Sequence, residues 1–108
     1  MKPVESLDLL QEMCVTSALS GHEEDMIALM KREFSRYLSD VSVDRLGNVI
    51  GRLPGSEDPS LSVMIFAHMD EIGFMVRKID ADGFVRLTRV GGVPEKSLPG
   101  QRLVLRGR

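Results

Sequence analysis

An apolar, strand-like run, Leu61–Phe66, leads directly into Ala67, a histidine and two acidic residues, and this junction constrains the fold more than any other feature. The segment Leu61–Ala67 is the least polar part of the chain and predicts a central, buried strand. Open α/β enzymes build their sites just beyond the carboxyl ends of such strands. The junction therefore predicts a functional site immediately after residue 67.

His68 and Asp70 are the candidate site residues at this junction. A neutral histidine ring can offer one nitrogen to a divalent metal, while a carboxylate two residues on can accept the other ring N–H and fix the tautomer. The residues alone leave two alternatives open, a structural histidine and a solvated turn. A catalytic zinc needs about three protein ligands. The other histidine, His22, reads as an exposed residue, and Glu71 is the only local candidate for a general base.

Two amphipathic helices are predicted before this junction, at Ser6–Met13 and at about residues 22–38. Ser20 and Glu23 have the spacing of a capping box at the start of the second helix. Cys14 continues the apolar pattern of the first helix and is expected to be a packed thiol. The face predicted to be buried in the first helix consists of Leu7, Leu10, Met13 and Cys14.

The period then changes from helical to alternating, which is typical of strands joined by turns. Asp44–Asn48 and Asp80–Gly83 have the composition of tight turns. The predicted strands are Val41–Asp44, Val49–Leu53, Leu61–Ala67, Gly73–Ile79, Phe84–Val90 and Gln101–Arg106. We therefore expect an α/β half followed by an all-β half, with the change near Gly73.

Charge and hydropathy exclude several classes of partner. The formal net charge is −2 and the basic residues are scattered, so a nucleic acid or an anionic membrane surface is not an expected partner. No apolar run approaches the ~20 residues that span a bilayer. Lys2, Glu5 and Asp8 interrupt the start of the chain, which does not read as a signal peptide. A cytoplasmic location is the expectation.

The stretch Ala67–Phe74 resembles the signature of the M42 family of metallo-aminopeptidases, which includes glutamyl aminopeptidase and the TET-type enzymes. The likeness runs over nearly the whole chain and corresponds to the N-terminal portion of the family. Three further segments resemble the family in order and spacing, namely Ser17–Glu23, Asp44–Asn48, and Gly91-Gly92 with Leu98–Arg102. Glu71-Ile72-Gly73 favours M42 over the M20 and M28 peptidases, which also use a His-x-Asp pair.

The resemblance implies an α/β fold, the N-terminal part of a metallopeptidase α/β sandwich of the phosphorylase/hydrolase-like type. Residues 1–70 would belong to the catalytic domain, and residues 71–108 would begin an inserted small β-barrel or PDZ-like dimerisation domain. The implied activity is removal of N-terminal residues from peptides by two divalent ions, zinc or cobalt. His68 would be a ligand of one ion, and Asp70 would be the catalytic carboxylate that orients it.

The family's other metal ligands and its general base have no counterpart in residues 1–108, so this chain would supply a single ligand, His68. We therefore expect an N-terminal fragment that is inactive alone. The alternative is a non-catalytic truncated member that acts through assembly with a longer homologue. Full-length members are expected to take peptide substrates, with no nucleic acid or membrane partner, and to form homo-oligomers from dimers to dodecamers.

Overall fold

The computed structural model describes residues 3–55 and 61–107 of the chain. Within these residues are two α-helices, one short 3₁₀ helix at Glu95–Ser97, and four strands in two separate antiparallel sheets. The chain divides into two compact units, Met1–Glu71 and Ile72–Arg108. Both α-helices and the first sheet belong to the first unit, and the second sheet belongs to the second. The protein is thus a mixed α/β chain, in agreement with the sequence analysis.

The first helix, α1, spans Pro3–Val15, and Met13 alone of the four residues predicted to be buried packs against the core. Leu9 and Met13, one turn apart, pack against the core, whereas Leu10 is 55% exposed. Cys14 is also exposed, so the prediction of a packed thiol is wrong. Both faces of α1 carry apolar residues, and contact with the rest of the unit selects the buried one, which helical periodicity alone does not reveal.

The second helix, α2, spans Glu24–Ser35 and lies inside its predicted range. Glu23 is its N-cap residue and makes no side-chain capping hydrogen bond, so the predicted capping box with Ser20 does not form. The Glu23 carboxylate instead accepts the backbone N–H of Gly21 at 2.7 Å. Gly21 has a φ of +85°, a conformation that suits glycine and turns the chain just before the helix. The tight turn therefore draws the carboxylate away from the helix start.

The core of the first unit is small. Among the described residues the buried apolar side chains are Ala18, Met26 and Leu29, which are 1%, 5% and 5% exposed. The partly buried side chains that pack against them are Leu9, Met13, Met30 and Met69. Met69 lies within the predicted site motif, so this core also holds the segment that contains His68.

An ion-pair network joins the two helices beside this core. Arg32 on α2 donates two hydrogen bonds to the Glu12 carboxylate of α1, at 3.0 and 2.7 Å, and a third to Glu33 at 2.8 Å. Arg36 donates to the other oxygen of Glu33, also at 2.8 Å. The hydrogen bonds from Arg36 and Arg32 lower the pKa of Glu33, and the hydrogen bond from Arg32 lowers the pKa of Glu12.

Strands β1, Asp40–Val43, and β2, Val49–Arg52, pair in the first antiparallel hairpin, as predicted. The turn between them is held by Asp44, whose carboxylate accepts the backbone N–H groups of Leu46 and Asn48 at 2.8 and 3.0 Å. The Asn48 side-chain amide donates to the same carboxylate at 2.7 Å. Asp44 and Asn48 therefore have a structural role in this turn.

Strands β3, Gly73–Ile79, and β4, Val85–Val90, form the hairpin of the second unit. Their register shifts between Val76 and Lys78, which marks a β-bulge. Gly83, with a φ of +83°, is the last residue of the predicted turn Asp80–Gly83, and this conformation suits glycine. Both hairpins that the turn composition predicted are thus confirmed.

Two predicted strands do not form. Leu61–Ala67 and Gln101–Arg106 lie outside every described strand. The side chains of Ile65 and Phe66 are 94% and 84% exposed, so the expectation of a buried central strand is wrong for this chain. A strand requires a neighbour to pair its backbone groups. Among the described residues, β1 pairs with β2 and β3 pairs with β4, and neither sheet includes residues 61–67 or 101–106. No described helix is long and apolar enough to cross a membrane.

Candidate functional site

His68 and Asp70 lie next to each other at the end of the first unit. The Nδ1 atom of His68 is 3.1 Å from a carboxylate oxygen of Asp70 and 3.1 Å from the Asp70 backbone oxygen. Both oxygens can only accept, so these contacts are hydrogen bonds when Nδ1 carries the proton. The other ring nitrogen, Nε2, then presents a lone pair, which is the form of histidine that binds metals.

The two side chains differ in exposure. The His68 ring is 86% exposed and the Asp70 side chain is 43% exposed. The ring is therefore accessible to an ion from solvent, while the Asp70 carboxylate is partly covered by the protein. A neutral imidazole with a carboxylate on its second nitrogen fits the donor set of a divalent metal.

Residues 69 and 71 contact the interior of the first unit. Met69 packs against the core cluster of Ala18, Met26 and Leu29. Glu71 donates its backbone N–H to the Ala18 carbonyl at 2.7 Å, and its carboxylate accepts the Ala18 N–H at 3.0 Å. Met69 and Glu71 thus attach the motif to the first unit, although Glu71 itself remains exposed; His68 is exposed and Asp70 is intermediate in exposure.

The remaining sequence candidates lie elsewhere or have other roles. His22 is exposed in the turn before α2, where its backbone N–H donates to the Leu19 carbonyl at 2.7 Å. Glu71, the local candidate for a general base, uses its carboxylate on the Ala18 N–H. That contact joins residues separated by 53 positions and uses a backbone donor, so no sequence pattern announces it.

A complete metal centre requires more donors than this pair. Across residues 3–55 and 61–107, no three histidine, cysteine, aspartate or glutamate side chains come together in an arrangement that could hold a metal ion. His68 and Asp70 fit one ligand and its orienting partner. They do not fit the three-ligand set of a catalytic zinc by themselves.

Comparison with known proteins places these residues in a family. Residues 47–108, which include the whole His68–Glu71 segment, match the family model described as M42 glutamyl aminopeptidase. SgcX of Escherichia coli (strain K12), whose name provisionally describes an aminopeptidase, is 47% identical over 91 residues, covering 84% of this chain and 24% of the relative.

Two further relatives are named as aminopeptidases of stated specificity. The lysyl aminopeptidase of Pyrococcus furiosus is 36% identical over 97 residues, which cover 89% of this chain and 27% of the relative. The glutamyl aminopeptidase of Lactococcus lactis is 30% identical over 102 residues, covering 94% of this chain and 29% of the relative. The chain therefore spans less than a third of the length of each of these proteins. With its matched segment and these relatives, the chain belongs to the M42 family of glutamyl aminopeptidases.

Proposed function

We propose that the protein of which this chain forms part or all is a metal-dependent aminopeptidase that removes N-terminal residues from peptides. His68 is a ligand of one of two divalent ions, and Asp70 is the carboxylate that orients its ring. The observation that carries the proposal is the 3.1 Å contact between His68 Nδ1 and Asp70, inside a segment that the M42 family model matches.

A pair of bound divalent ions supplies a hydroxide nucleophile near neutral pH and polarises the scissile carbonyl. The described residues would have a more limited role, which is to orient one metal ligand. Asp70 holds the proton of the ring on Nδ1, so that Nε2 keeps its lone pair for the ion. Its negative charge also raises the basicity of the ring as a ligand. The exposure of His68 leaves space for ligands from outside the described residues.

The 108-residue chain is expected to be catalytically inactive by itself. A catalytic ion takes about three protein ligands, and a general base must lie within hydrogen-bond reach of the attacking water. The described residues supply His68, and they engage the carboxylate of Glu71 elsewhere. Homo-oligomeric assembly, a cytoplasmic location and the choice between zinc and cobalt belong to the same proposal. So does the division into a partial catalytic domain, residues 1–70, and the start of an inserted β-rich domain, residues 71–108.

Capture of the protein from its host with an antibody against this chain tests the proposal. We expect the captured protein to release N-terminal residues from peptides, to lose this activity with a chelator, and to regain it with zinc or cobalt. A captured protein of the relatives' length that remains inactive with either metal would contradict the aminopeptidase function.

One observation favours a second candidate, a non-catalytic member that assembles with a longer homologue. Residues 61–67 lie outside the described sheets, and Val63, Ile65 and Phe66 are 79%, 94% and 84% exposed. An exposed apolar segment with unpaired backbone groups is a template for association. Capture of a species near 12.0 kDa together with a longer relative would favour this candidate.

A further inference from the structure

We propose that Glu71 is a positioning residue for the His68–Asp70 pair. Its carboxylate fastens the motif to the loop between α1 and α2, and this attachment sets the contact between the His68 ring and Asp70. The inference deepens the proposed function, on which its relevance to metal binding rests. The structural attachment itself is independent of that function.

The attachment consists of two hydrogen bonds to a single residue. Glu71 N–H donates to the Ala18 carbonyl at 2.7 Å, and Ala18 N–H donates to the Glu71 Oε1 atom at 3.0 Å. Both polar groups of the Ala18 backbone are therefore used by Glu71. Leu19, the next residue, also forms a parallel bridge with Glu71, so that the two segments run side by side at this point.

Burial makes this attachment necessary. Ala18 is 1% exposed, which makes it the most buried of the described residues. A buried backbone N–H must find an acceptor, because water does not reach it. The Glu71 side chain is the acceptor that this chain provides, and a carboxylate forms a stronger bond to a backbone N–H than a neutral group does.

The position of the attachment relative to the pair explains its effect. Met69 packs on the core between His68 and Asp70, and Glu71 is tied to Ala18 immediately after Asp70. The backbone that carries Asp70 is thus held on both sides. His68 Nδ1 contacts both the backbone oxygen and the carboxylate of Asp70, so the ring follows the geometry of that backbone.

The positioning role of Glu71 differs from that of a general base. Its Oε1 atom already accepts the Ala18 N–H, and its role requires reach and an acceptor oxygen. Glu71→Gln keeps both, with loss of the charge. Glu71→Asp keeps the charge but shortens the side chain by one methylene, so the carboxylate no longer reaches Ala18. This pair of variants separates positioning from charge.

The test uses the 108-residue chain without metal, in mildly alkaline buffer. Nuclear magnetic resonance reports two quantities in each variant: the exchange rate of the Ala18 amide and the ring nitrogen shifts that give the His68 tautomer. Glu24→Gln, at an exposed carboxylate in the first turn of α2, is the matched control.

Glu71→Asp is expected to speed exchange at Ala18 by about fivefold or more, as the loss of one hydrogen bond implies. It should also shift His68 away from the Nδ1–H tautomer, whereas Glu71→Gln and Glu24→Gln leave both readouts near those of the unaltered chain. Faster exchange with an unchanged His68 tautomer would overturn the proposal, because Glu71 would then only anchor the loop. A Glu71→Gln variant as perturbed as Glu71→Asp would also overturn it.

Two further measurements keep the test decisive. If Glu71→Asp does not fold, the unaltered chain must still show a nuclear Overhauser contact between the Ala18 amide proton and the Glu71 γ-methylene protons, and its absence overturns the proposal. A separate titration of the unaltered chain with Co²⁺ tests His68 as a ligand. A tautomer that responds to Glu71 in a chain whose His68 takes no metal means that the proposed function fails and the positioning role stands.

Discussion

Gly51 in β2 is expected to be a position where a single methyl group destabilises the first unit. A Cβ at this residue would meet Leu38 Cδ1 in direct overlap and Phe34 Cδ2 at 3.1 Å. Phe34 lies on α2 and Leu38 in the turn that follows it, so the strand backbone here is packed directly against the end of the helix.

The expected magnitude for Gly51→Ala combines two opposing effects. Overpacking a fitted contact costs about 1–3 kcal/mol, because side chains must leave their rotamers or the backbone must move. Replacing glycine by alanine returns about 0.4–1 kcal/mol by restricting the unfolded chain. The difference between the middle values of these two ranges is a destabilisation of about 1 kcal/mol.

Urea unfolding followed by far-ultraviolet circular dichroism measures this difference. Gly55→Ala is the matched control, since a Cβ there meets no atom within 4 Å; it should carry no overpacking cost and leave stability unchanged or raised by up to about 1 kcal/mol. The cost of Gly51→Ala should also fall in a Leu38→Ala background, where the overlapping methyl group is gone. A Gly51→Ala chain as stable as the unaltered protein, or an equal cost in both backgrounds, would refute the reasoning.

Three further predictions concern the first unit. The hydrogen bond from Arg32 holds the pKa of Glu12 below its ordinary value of 4.5. The contribution of this ion pair to stability is therefore complete above pH 4.5 and is lost as the pH falls below that value. The unfolding temperature should fall less steeply with acidification in Glu12→Gln than in the unaltered chain, and an identical fall would contradict the ion pair. Leu29→Ala, at a residue 5% exposed, should cost about 2–5 kcal/mol in the same urea assay, and a cost below about 1 kcal/mol would show that the core is not fixed. The exposed apolar side chains within residues 61–66 should bind a hydrophobic dye, and Ile65→Asp should reduce the fluorescence; an unchanged signal would place the dye elsewhere.

The parts of the fold that the sequence predicts are those determined by local interactions. The β1–β2 hairpin depends on Asp44, Gly47 and Asn48, which lie within five residues of one another and bond among themselves. The β3–β4 hairpin likewise depends on a short turn that ends in Gly83. Such contacts carry their own signature in residue type and spacing.

The sequence predictions that were wrong concern structure that depends on residues distant in the chain. Leu61–Ala67 has the composition of a buried strand, but composition does not supply a neighbouring strand, and the described segments provide none beside it. The buried face of α1 was misassigned because leucines occur on both sides of the helix, and only packing places Leu9 inward and Leu10 outward.

The candidate site divides in the same way. The contact between His68 and Asp70 joins residues two positions apart, and the chemistry of the two side chains suggests it. The attachment of Glu71 to Ala18 depends on a fold that brings together residues 53 positions apart. The donor is a backbone N–H, which every residue type except proline has, so the contact cannot be predicted from residue type.

Site-resolved titration of the metal-free chain with Co²⁺ tests the central claim most directly. Paramagnetic broadening detects even weak binding, and the chain contains one internal control, the exposed His22. The ring resonances of His68 should broaden at lower Co²⁺ concentrations than those of His22, and Asp70→Asn should reduce the difference. Equal broadening of both histidines, or earlier broadening of His22, would contradict the assignment of His68 as a metal ligand.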